Sequence, residues 1–106
     1  MIEDNRKFES EEELLGYVEE KVKQLNLLLD DLERAQNTET KEEFDKRWKG
    51  LYNNIVRLQN LIKQNYVMFA KSSTAVENWE ELPMYSLTVT LIERLTEIKD
   101  TNTVGA

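Results

Sequence analysis

Apolar residues return at helical spacing in three stretches of this chain. In the first, Leu14, Val18, Val22, Leu25, Leu29 and Leu32 follow at steps of 4, 4, 3, 4 and 3. Such spacing lines one helix face with a heptad-like seam, which Leu15, Tyr17 and Leu28 broaden. In the second, Phe44, Trp48, Leu51, Ile55, Leu58 and Ile62 repeat at 4, 3, 4, 3 and 4. The same phase continues through Asn65 to Phe69, with Tyr52, Val56 and Tyr66 beside it. In the third, Met84, Leu87, Leu91, Leu95 and Ile98 are spaced 3, 4, 4 and 3. Leu87 to Leu91 also alternates with period two, but a single strand would have no partner, and Ile92 to Leu95 resumes helical spacing.

Helix starts are marked by a Ser, Thr or Asn followed three residues later by Glu, the capping-box pattern. Ser10–Glu13 and Thr40–Glu43 fit it, and Asn78–Glu81 fits it more loosely. Helices are therefore predicted over about 11–35, 41–71 and 79 or 84–99. Pro83 decides the last choice. It would be the fifth helical residue after an Asn78 cap, so either the helix kinks there or it starts at Pro83, where a missing N–H does no harm. Gln36-Asn37-Thr38 and Ser72-Ser73-Thr74 read as loops. Short loops make neighbouring helices antiparallel. The predicted fold is all-α: an elongated up-down-up three-helix bundle spanning residues 10–100, with the second helix at its centre. Residues 1–9 and 101–106 are expected to be loose ends.

Trp48-Lys49-Gly50 resembles the tripeptide of the WXG family of small type VII secretion substrates, and the length of 106 residues fits as well. The resemblance implies a hairpin bent at residues 48–50, usually in a dimer. The apolar seam, however, crosses Gly50 without a change of phase, and a turn there would leave the Thr40 capping signal unexplained. The periodicity predicts continuous helix, with Trp48 on its buried face.

Composition narrows the chemistry. The chain has no Cys and no His, which removes thiolate metal sites and the commonest general base and metal ligand. There is no glycine-rich phosphate loop and no nucleophile motif. Adjacent carboxylates such as Glu19-Glu20 and Asp30-Asp31 do not converge on a helix. The expectation is a non-enzyme without cofactor or metal. No apolar run is long enough to span a membrane, and a cytoplasmic location is expected. The net charge of −7 is unevenly spread, with a net +4 over residues 40–75 between two acidic segments. Lys41, Lys46, Arg47 and Lys49 cluster near Trp48, but Glu42, Glu43 and Asp45 interleave them, so they read as partners for the acids of the other helices. Nucleic acid is not an expected partner.

What remains is binding to another protein, with a homodimer as an open alternative. The function expected is a helical interaction module: an adaptor, small chaperone or complex subunit. Tyr66, Met68, Phe69, Trp79 and Met84 are its candidate surface; the alternative is that they form a satellite core under the second loop. Asn65 on the apolar seam is either a polar residue near a fraying end or beside a water, or else a register-setting polar group or the edge of a partner groove. A different class, a small acidic inhibitor or immunity protein of phage or bacterial origin, would instead use Glu12, Glu19, Glu20 and Asp30.

Overall fold

A computed structural model of the protein describes residues 2, 6–35, 38–70 and 82–101. It contains three helices, α1 (Glu11–Ala35), α2 (Lys41–Ala70) and α3 (Pro83–Thr101), each packed against the other two. The molecule is elongated, 49 × 21 × 18 Å. It is the expected all-α three-helix bundle.

The caps explain where the helices begin. Glu13 N–H donates to Ser10 Oγ at 3.2 Å, and Glu43 N–H donates to Thr40 Oγ1 at 3.2 Å, so each hydroxyl satisfies a first-turn donor that has no helical acceptor. The Glu13 carboxylate reaches back one residue further than a capping box requires and accepts from Glu9 N–H at 3.2 Å. At the far end of α1, the Ala35 carbonyl accepts from the N–H groups of Thr38 and Glu39 and from the Thr38 hydroxyl. Pro83 is the first residue of α3, and Ser86 N–H bonds Leu82 O as the opening helical link. The Asn78 cap and the bounding residue Lys71 lie outside the described residues.

The seams meet in one core. Leu14, Val18, Leu25, Leu29 and Leu32 of α1 pack with Phe44, Leu51, Ile55, Leu58 and Ile62 of α2 and with Met84, Leu91, Leu95 and Ile98 of α3. Leu61, which the spacing argument passes over, is also fully buried. Leu15 and Leu28, expected to widen the seam, are exposed instead. Leu87 needs a correction too, for it is 37% exposed while its neighbour Thr88 is completely buried. The α3 seam thus runs 84, 88, 91, 95, 98, an alternation of 4 and 3. Thr88 fills its place because both hydroxyl functions are used: it donates to Tyr85 O at 2.6 Å and accepts from Gln59 Nε2 of α2 at 3.1 Å.

Two polar ties orient α3. The Trp48 indole N–H donates to Leu95 O at 2.8 Å, its ring stacks on Tyr52, and Lys99 Nζ lies 4.5 Å from the ring centre. On the opposite side, Arg94 pairs with Asp30, reaches Glu33 at 3.3 Å and donates to Asn26 Oδ1 at 3.2 Å. The Asp30 hydrogen bond raises the guanidinium above its usual pKa, against a counteracting effect of burial. This strut therefore keeps its positive charge throughout the physiological range. All four side chains are partly solvated, so its value is mainly in fixing the α1–α3 register.

Helix α2 is unbroken through Gly50. The hairpin that the tripeptide resemblance implies is absent, and Trp48 packs against the core as the periodicity predicts. A Cβ built at Gly50 meets no atom within 4 Å. Gly50→Ala should therefore stabilise the protein by about 0.5–1 kcal/mol through helix propensity alone, seen as a higher urea midpoint with an unchanged slope. A loss of stability would indicate that the backbone at residue 50 is not helical.

Candidate functional site

Residues 1–9 are expected to be a loose end; of those the structure describes, 2 and 6–9, Ile2 and Phe8 are buried among the core residues. Ile2 and Phe8 are each bonded through their backbone N–H to an asparagine of α2.

Asn65 makes the tighter contact. Its Oδ1 accepts from Phe8 N–H at 2.8 Å, and its Nδ2 donates to Arg6 O at 2.8 Å and to Leu61 O at 2.9 Å. Every hydrogen of that amide is used, which is what allows Asn65 to be 1% exposed on an apolar seam. Asn65 is buried rather than beside a fraying end, and its partners lie within the chain, at Arg6, Phe8 and Leu61. Asn54 repeats the device three turns earlier. Its Nδ2 donates to Gly50 O at 3.0 Å, again four residues back, and its Oδ1 accepts from Ile2 N–H at 3.4 Å. Anchoring the amide nitrogen on its own helix points the oxygen at the Ile2 N–H.

Eleven helical residues from Asn54 to Asn65 rise about 16.5 Å, and Ile2 bonds at the earlier of these asparagines and Phe8 at the later. The order from residue 2 to residue 8 is thus parallel to α2 and antiparallel to α1. Phe8 packs on Tyr17 of α1, with ring centres 5.2 Å apart. The Arg6 guanidinium lies 4.8 Å from the Phe8 ring centre and 5.1 Å from that of Tyr17, a cation–π lid over both rings. Ile2 shares a pocket with Lys21, Gln24, Leu25, Leu28 and Asn54. A second pocket is lined by Leu28, Arg47, Gly50, Leu51 and Asn54.

The residues singled out from the sequence do not form one surface. Met84 is buried in the core. It fills the first inward position of α3, where the seam starts. Phe69 packs against the core, Tyr66 is half-buried, and Met68 is 40% exposed. Trp79 lies outside the described residues. Of the acidic set, Glu12, Glu19 and Glu20 are exposed on α1, while Asp30 is engaged by Arg94. Among the described residues no cluster of three or more carboxylates is arranged to hold a metal, and no helix is long and apolar enough to cross a membrane. In comparisons with known proteins, no family model, no curated protein and no solved structure matches this sequence.

Replacing Asn65 by Ala should lower stability by about 1–3 kcal/mol, because Phe8 N–H and the Arg6 carbonyl lose their partner and the Leu61 carbonyl a donor. Hydrogen exchange at the Phe8 amide should accelerate far more than exchange at core amides such as Ile55. Equal acceleration at both would mean that Asn65 supports the helices rather than the N-terminal residues.

Proposed function

We propose that this protein is a non-catalytic helical interaction module whose binding surface is the α1–α2 groove and its rim. One observation carries the reading: two asparagines of α2 already take backbone groups of residues 2, 6 and 8, with Ile2 and Phe8 buried. Leu28 and Met68 leave apolar surface on the two groove-forming helices, at 45% and 40% exposure, after the three seams have satisfied one another. Side chains of this kind on helix faces are the usual material of protein recognition surfaces. The adaptor, small chaperone and complex-subunit roles all draw on such a surface.

A second reading, a small acidic inhibitor, draws support from the exposed Glu12 and Glu19, which lie seven residues apart on one stripe of α1 with Glu20 to the side. The two readings use different faces, so one experiment separates them. The protein is used as bait in extract of its source cells, alongside a Leu28→Glu/Met68→Glu variant and a Glu12→Lys/Glu19→Lys/Glu20→Lys variant. All three should melt alike, since the altered side chains are exposed. The interaction-module reading expects a stoichiometric partner that the first variant loses at least tenfold and the second retains. The opposite pattern would establish the acidic face, and no partner with any bait would sink both.

A further inference from the structure

We infer that the outer face of α2 is a docking surface for an acidic helix of a partner protein. The inference rests on the interaction-module reading and adds the chemistry of the partner.

From residue 46 to residue 70, α2 carries five basic side chains and no acid, in a protein whose net charge is −7. The sequence pattern assigns the bases around Trp48 to the acids of the other helices. In the structure Arg47 is engaged, by Glu39 just ahead of α2. Lys46, Lys49 and Arg57 are exposed and make no ion pair among the described residues. They fall on one stripe, Lys46, Lys49, Asn53, Arg57, Asn60 and Gln64, at steps of 3, 4, 4, 3 and 4. The stripe lies opposite the buried seam, and every member is exposed. Over about 27 Å of helix it offers cations and amides, with no carboxylate and no apolar side chain among its members.

The sign of the stripe calls for an acidic occupant, and its spacing calls for a helix. Its positions rise by about 5.4 Å per turn. A partner helix has the same rise, so acids at steps of 3 and 4 stay opposite the stripe along its whole length. An extended chain places same-side residues about 6.6 Å apart and slips by about one position over that span.

The flanking helices favour protein over nucleic acid. Glu12, Glu19 and Glu20 of α1 and Glu93 and Glu97 of α3 are exposed on either side of α2. A single helix, about 10–12 Å across, can lie along α2 alone. A duplex, with one charge per about 1.7 Å of its axis, would carry phosphates towards those carboxylates. The net charge of the chain acts from further away, and exposed charges more than about 8 Å apart are largely screened at physiological ionic strength. Each exposed pair contributes little, so binding depends on several acids in register.

The test uses the full-length protein and a fluorescent, alanine-based helical peptide with Glu at alternating steps of 3 and 4, titrated by anisotropy at low salt. The peptide should bind saturably, and at least tenfold tighter than a peptide of the same composition with its Glu residues scattered around the helix. Lys49→Glu/Arg57→Glu should weaken binding at least tenfold. Lys7→Glu/Lys23→Glu changes the net charge equally at exposed residues off the stripe and should weaken it less than threefold. Both variants should melt like wild type. No saturable binding, equal binding of the two peptides, or equal loss in the two variants overturns the inference. So does a DNA duplex that binds more tightly than the peptide and is lost with Lys49 and Arg57, since the stripe would then serve nucleic acid. A partner captured in the bait experiment that holds the Lys49→Glu/Arg57→Glu variant as firmly as wild type would leave the module reading standing and remove only this surface.

Discussion

The side-chain amide of Asn65 is the point on which the arrangement of this protein turns. It is a polar group placed where the heptad pattern of α2 asks for an apolar one, and burial would be costly if any of its bonding capacity were unmet. The protein meets that capacity with Arg6 and Phe8 of its own N-terminal strap and with the Leu61 carbonyl. The consequence is long-range: residues near the start of the sequence are tied to the last turns of α2, and the groove between α1 and α2 becomes a defined slot. Three helices alone would make a bundle. The amide makes it a bundle with a seat.

Much of the fold was legible in the sequence because helical periodicity integrates over many residues. The ends of α1 and the start of α2 follow from Ser10, Thr40 and the seams, and the continuity of α2 through Gly50 follows from an unbroken phase. Errors occurred where a single residue decided the outcome. At Thr88, hydropathy favours its neighbour Leu87 as the inward residue, and only the hydrogen bonds to Tyr85 and Gln59 make Thr the better fit. Leu61 escaped because a seam drawn at steps of 3 and 4 keeps one residue per turn, while a helix flanked on two sides buries a wider arc.

The site was less legible, for a physical reason. Ile2 and Phe8 sit among charged residues without any periodic pattern, so nothing local marks them as buried; their partners, Asn54 and Asn65, lie 52 and 57 residues away. The one sequence clue was the asparagine on an apolar seam. By contrast, Met84 and Phe69 looked like surface candidates because apolar residues crowd the end of α2 and the start of α3, and crowding alone does not separate a satellite core from a contact patch. Tertiary structure drew that line, placing Met84 inside and Met68 outside.

The geometry of the strap also sets an order of assembly. The socket for Phe8 has one wall from α1, Tyr17, and one from α2, Asn65, so it exists only after those helices have come together. Until then the strap has nothing to bind, although it is joined directly to the first residue of α1. Docking is consequently a late, short-range closure: once the α1–α2 hairpin is in place, the backbone reverses at Glu9 and Ser10 and folds back along it. Elements added last with few long-range contacts open at a lower free energy than the whole molecule. Phe8 and its Asn65 bond therefore close last, while the packing of the three helical seams does not wait on them.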